Sequence, residues 1–182
     1  MRNWLQHKEK VNSEFAITPN EAVIRFIDDL IHRVESRSKC KDIYVPFKDV
    51  YAQTMQGSVR DSILEMRRHL YTHIPIIENE TVVGVFDENS IFNYLAEEEI
   101  IAIDEALTFA DIIKYIQLED REMETFEFVN ENTYVDILEQ HFEKAFQNGK
   151  RLGMVFINSD GKKESPLHGI ITPWDILGIN LE

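Results

Sequence analysis

Apolar residues recur at intervals of three and four along the early part of the chain. Ala22, Val23, Phe26, Ile27, Leu30, Ile31 and Val34 make one stripe, which predicts an amphipathic helix over 19–35. Thr18, Pro19 and Glu21 read as its capping box, with proline in the first helical position. Such a stripe has to pack, either within the chain or on a partner copy. The pattern then shortens. "KDIYVPF" (41–47) reads as a strand stopped by Pro46, and "SVRDSILEMRRHLY" (58–71) as a helix facing inward on Val59, Ile63, Leu64, Met66 and Leu70. "HIPIIEN" and "ETVVGVFD" predict two strands joined by a tight Asn79-Glu80 turn, and "ENSIFNYLAEEE" resumes helix.

The second half repeats that order. "TFEFVNEN" (125–132) reads as a strand, and "TYVDILEQHFEKAFQNG" as a helix ended by Gly149. "RLGMVFINSDG" and "PLHGIIT" read as strands, and "PWDILGI" as a short helix. "SILEM" (62–66) lies over "DILEQ" (136–140), and "GVFDENSIF" (84–92) over "GIITPWDIL" (169–177), so one unit is used twice. The segment between the copies is too apolar for a free tether, and Thr108 with Asp111 predicts the cap of a linking helix.

Charge narrows the functional classes. With 33 acidic against 19 basic residues the formal net charge is -14, which argues against nucleic-acid and anionic-membrane surfaces. Cys40 is the only cysteine, so neither a disulfide within the chain nor a cysteine-based zinc site is available. No apolar run is long enough to span a bilayer and "MRNWLQHKEKVNSEF" is unlike a signal peptide, so a soluble, cytoplasmic protein is expected. No His-Glu-x-x-His motif, phosphate-binding glycine loop or nucleophile elbow is present, so neither a catalytic residue nor a metal site is expected, and the chain is not read as an enzyme. The acidic tracts 97–99 and 119–124 read as solvated faces. The densest basic cluster is Arg67, Arg68, His69 and His73; Arg151 and His73 are the better candidates for an anion because each precedes a cleft-lining strand.

"THIPII" (72–77) with "VVGVF" (82–86), and "GMVFIN" (153–158) with "LHGIITPWDIL" (167–177), carry a resemblance to the tandem cystathionine-β-synthase (CBS) domain pair, or Bateman module. The resemblance implies an α/β (α+β) fold of two strand-helix-strand-strand-helix repeats packed as a pseudo-symmetric pair behind an N-terminal helical extension. It divides the chain into an extension (1–40), a first CBS domain (41–100), a linking helix (101–124) and a second CBS domain (125–182). It implies a regulatory module that senses an adenine nucleotide or other adenosyl ligand in the cleft between repeats: AMP, ADP, ATP, a dinucleotide or S-adenosylmethionine, with no resident cofactor. The site it implies comprises Thr172, Asp175, Arg151, Gly153, Met154, Val129 and His73, with Asp175 on the ribose and the helix N-terminus near a phosphate. Thr172 also reads as a plain N-cap whose hydroxyl accepts the Asp175 N–H. The matching positions of the first copy are Asp87 and Ser90, which predicts a site degenerate for nucleotides. Gly153 either lets a base approach the backbone or marks a bulge. A homodimer and an unidentified effector protein are the implied partners. The other class of reading is a ligand-free interaction or dimerisation module with degenerate sites.

Overall fold

The computed structural model describes residues 20–35, 37–99, 102–119 and 121–179. They fall into two compact units, Met1–Arg37 and Ser38–Glu182. The first contains helix α1 (Glu21–Glu35), on which Val23, Phe26, Ile27, Leu30 and Ile31 stand exposed. Its cap is Asn20, whose Oδ1 accepts the Val23 N–H at 2.9 Å; Thr18 and Pro19 lie outside the described residues. Asn20 stands at the N-cap, where a short carboxamide can reach a free helical N–H.

In the second unit the two repeats follow the expected order. Gln53 runs parallel to β2 (His73–Glu78), donating to Pro75 O at 3.0 Å and accepting from Ile77 N at 2.7 Å. Helix α3 (Val59–His69) starts at Ser58, which accepts the Asp61 N–H, and ends at Leu70 in the left-handed region. β2 and β3 (Thr81–Asp87) form a hairpin whose Asn79 and Glu80 have φ of 48° and 64°, the twist-matched turn the sequence predicts. Helix α4 (Glu88–Glu97) follows without a linker. In the second repeat β4 (Glu124–Asn130), helix α6 (Val135–Gln147), β5 (Arg151–Asn158), β6 (Gly169–Ile171) and helix α7 (Pro173–Ile179) repeat the plan. β4 is parallel to β5, and β5 antiparallel to β6.

Each repeat is closed by the segment that precedes the other. Residues 38–46, ahead of the first repeat, lie on the second: Cys40 N–H bonds Thr133 O, Lys41 N–H bonds Glu131 O, and Val135 N–H bonds Ser38 O, at 2.8, 2.8 and 2.9 Å. Residues 107–118, ahead of the second repeat, lie on the first in the same way, through Phe109 to Gly57, Ala110 to Met55 and Val59 to Leu107. The local turns match as well. Asp42 accepts the Lys39 N–H, and Asp111 accepts the Thr108 N–H, each at 2.9 Å.

This pairing corrects two expectations. The strand expected over 41–47 is a helical turn, α2 (Cys40–Ile43), followed by a two-residue strand, β1 (Val45–Pro46), on the edge of the second repeat's sheet, whose order is β1-β6-β5-β4. The linking helix is reduced to one turn, α5 (Ile113–Ile116), because the residues before it are committed to backbone bonds with Met55 and Gly57.

Two glycines allow the closure. A Cβ on Gly169 would lie 2.3 Å from Val45 O, and one on Gly84 would lie 2.7 Å from Ile116 O. The glycine in each strand-end motif is thus a packing requirement, where another backbone comes close. A core cluster of Ile77, Val82 and Val85 with Met154, Phe156, Leu167 and Ile170 joins the two repeats. Separate clusters lie within each, around Ile74, Ile76 and Phe86 in the first and Leu138, Val155 and Ile171 in the second.

Candidate functional site

β5 and the start of α7 form one wall of a cleft of about 870 Å³, and the ends of the β2–β3 hairpin form another. Five of the sequence-derived site residues line it: His73, Arg151, Gly153, Met154 and Thr172. Asp175 does not line it, but binds Thr172. Val129 is elsewhere: it is buried in the second repeat's own core with Leu138 and Ile171. Strand alternation accounts for this, since Val129 follows Phe128 and points to the opposite face.

The Thr172–Asp175 cap has the reverse polarity of the one expected. Asp175 Oδ2 accepts both the Thr172 N–H and the Thr172 hydroxyl, each at 2.7 Å, and the threonine hydroxyl therefore donates. The reaching group is the carboxylate of the third helical residue, as in the second half of a capping box. The first repeat solves the same turn with the carboxylate at the other end. Asp87 Oδ1 accepts the Ser90 N–H at 2.7 Å and the Ser90 hydroxyl at 2.8 Å.

Asp87 is buried, and its partner Arg121 is partly so. Arg121 donates from Nη1 to Asp87 and from Nη2 to Val85 O, and its guanidinium lies 5.0 Å from the Phe126 ring. Burial alone would push the Asp87 carboxyl up; the Arg121 charge and the Ser90 hydrogen bonds outweigh it and hold the group below the usual carboxylate range. This carboxylate stands at the position equivalent to Thr172 in the second repeat.

Glu124 lies beside them and is 4% exposed, as is fitting for the first residue of a paired strand but not for a solvated tract. The expectation that 119–124 forms a solvated face therefore fails at Arg121 and Glu124. Glu124 Oε2 meets His73 Nε2 at 3.0 Å, and Thr72 Oγ1 holds the other ring nitrogen at 2.8 Å. Arg151 stands 3.7 Å from Glu124 Oε1 with a largely exposed side chain. Gly153 is the extra residue of a bulge in the β4–β5 ladder, and a Cβ there would lie 2.6 Å from Glu124 Oε1. The space before Gly153 thus holds a carboxylate, and the bulge reading is the one realised. Met154 is buried in the core that joins the repeats.

The mouth of the cleft was not read from the sequence. Phe146 and Trp174 line it, 79% and 78% exposed, together with Leu70 and Tyr71. An exposed Trp inside the Thr-Pro-Trp-Asp turn was the available signal. Of the basic cluster on α3, Arg68 and His69 pair with Glu65 of the same helix, which makes them a solvated face.

Comparison with known proteins agrees with this fold. Residues 54–97 match the CBS domain family model. No curated protein sequence matches the chain. Among solved structures, CbpB in complex with c-di-AMP is similar at 18% identity over 85% of this chain and 93% of that one, with a TM-score of 0.61. CBSX2 in complex with AMP is similar at 15% identity over 79% and 96%, with a TM-score of 0.56. The CBS domain of a bacterial CNNM/CorC family Mg2+ transporter in complex with ATP is similar at 18% identity over 86% and 94%, with a TM-score of 0.53. The protein has the fold of a CBS pair, and residues 54–97 are its CBS domain by sequence.

Proposed function

We propose that this CBS pair is a regulatory module that binds an adenine nucleotide or related adenosyl ligand in the cleft lined by β5 and α7. The observation that carries the reading is the convergence of Thr172, Arg151, Gly153 and the exposed rings of Trp174 and Phe146 on one cleft of about 870 Å³. The rings offer an apolar surface to a base, and Arg151 an exposed cation to a phosphate. Asp175 stands outside the cleft lining and acts on it through Thr172, whose N–H and hydroxyl it holds. The first repeat's equivalent turn is filled by the Asp87–Arg121 pair, so one nucleotide per chain is the expected stoichiometry. Neighbouring folds solved with c-di-AMP, AMP and ATP support the ligand class. Binding acts by favouring one arrangement of the pair or its assembly, through differential affinity for it.

Thermal unfolding with AMP, ADP, ATP, S-adenosylmethionine and c-di-AMP tests this, with Asp175→Ala run alongside. A ligand at a hundred times its Kd adds about 2.7 kcal/mol, a rise of roughly 5–10 °C for a domain of this size. A rise in the wild type that the variant loses supports the reading; no rise with any of the five overturns it. One observation favours the second reading, a ligand-free interaction module: α1 exposes a continuous apolar stripe. Sedimentation of the chain with and without residues 1–37 tests whether that stripe drives self-association.

A further inference from the structure

His73 from β2, Asp87 from the end of β3 and Glu124 from the start of β4 each present one ligating atom to the same point. These atoms all lie within 4.8 Å of one another. Ligand atoms sharing a zinc-sized ion at bond lengths of about 2.0–2.2 Å sit about 3–3.5 Å apart. The His73 Nε2 to Glu124 Oε2 separation of 3.0 Å is already there, and rotation of a carboxylate closes the rest. We propose that His73, Asp87 and Glu124 form a binding site for a divalent transition-metal ion of the zinc class, which ties the first repeat to the second.

Four properties of the cluster support this. Asp87 and Glu124 are nearly inaccessible, yet both line the cleft, so an ion has an entry path and water a place in its open coordination position. Thr72 Oγ1 fixes the His73 ring through its other nitrogen, the outer support that metal-bound imidazoles have. The charge is unevenly met, because Arg121 faces Asp87 while Glu124 faces His73, the exposed Arg151 and the Asp87 carboxyl itself. A buried carboxylate without a full counter-charge favours a cation. Finally, the donor set of one imidazole and two carboxylates suits zinc, manganese or iron better than an all-oxygen magnesium or calcium site. Arg121 opposes the ion by repulsion, against the attraction of the two carboxylates. The three residues are far apart in sequence, which is why no short motif announces them.

Of the other histidine–glutamate pairs, His141–Glu127 and His168–Glu131 are more exposed and have two members each, which makes them internal controls. The chelator-stripped chain is titrated with Zn2+ alone, without nucleotide, by competition with a chromophoric chelator, and with Co2+ for its visible absorption. The expected result is one tight equivalent whose affinity falls roughly tenfold or more in His73→Gln and in Glu124→Gln and is unchanged in His141→Gln and His168→Gln. Circular dichroism of each metal-free variant separates a lost fold from a lost site, and His73→Gln, at a partly exposed position, carries the test if Glu124→Gln unfolds. Absence of a tight equivalent in the folded wild type overturns the proposal. So does binding that survives both cluster substitutions or is lost in either control. Because no nucleotide is present, the outcome is independent of the adenosine-binding reading.

Discussion

The two strand-to-helix turns, Asp87-Glu88-Asn89-Ser90 and Thr172-Pro173-Trp174-Asp175, occupy equivalent places and make the same two bonds with the partners exchanged. In the first the carboxylate precedes the helix and the hydroxyl lies inside it; in the second the order is reversed. The hydrogen-bond count barely differs, so the helix is served equally well in both. What differs is the place of the negative charge. At Asp87 it stands at the strand end, where the linking segment reaches it through Arg121. At Asp175 it lies one turn into the helix, and the strand end is left with a neutral threonine facing the cleft. One repeat has a buried carboxylate at its strand end, and the other a neutral hydroxyl.

The comparison is broken most severely at Arg121. Arg121→Ala leaves Asp87 buried without its counter-charge and is expected to lower stability by about 3–5 kcal/mol in chemical unfolding. A loss under about 1 kcal/mol would mean that the pair is solvated. Next come the equivalent glycines. Gly169→Ala and Gly84→Ala each force a methyl against a closing segment and should cost about 1–3 kcal/mol, Gly169 the more because its approach is closer. Equal thermal unfolding of wild type and both variants would contradict the reciprocal closure. Smaller again, Thr172→Val removes the hydroxyl donor and should cost about 1 kcal/mol, while Asp175→Asn should keep most of the cap and weaken nucleotide response. The mildest test is acid titration. The Asp87 carboxyl is held below its unfolded value of about 3.9, so its contribution is present above that pH and lost as the pH falls through the folded value. Below about pH 4 the wild type should therefore lose stability more steeply than Asp87→Asn.

Much of the architecture could be read from side-chain periodicity. The alternation in "THIPII" and "GMVFIN", the Asn79-Glu80 turn and the paired glycine-ended strands all report local backbone choices, and local choices leave local marks. The site was legible in part. Thr172, Arg151 and His73 stood out by type and place, and Asp87 as the odd member of its pair. Glu124 and Arg121 were hidden in an acidic tract, because their burial depends on contacts with residues 34 to 51 positions away. Period two offered a clue, since Glu124, Phe126 and Phe128 share one strand face. The polarity of the Thr172 cap could not be read, as the same letters permit either direction of donation. The exchange of closing segments was invisible for a similar reason: β1 is two residues long, and its partner lies at the far end of the chain.

That exchange has a consequence for how the molecule is made. Synthesis proceeds from the N-terminus, so the first repeat can close as soon as residues 107–118 have emerged, all its contacts being close in sequence. The second repeat cannot. Residues 38–41 bond to residues 131–135 and Val45 pairs with Ile170, so a segment made early must wait for partners made much later in the chain. In the folded chain Cys40 is buried with Leu138, Leu152 and Val155 of the second repeat, and burial pushes its thiol up to about 11. A single thiol thus dates the moment at which the two halves of the chain become one body.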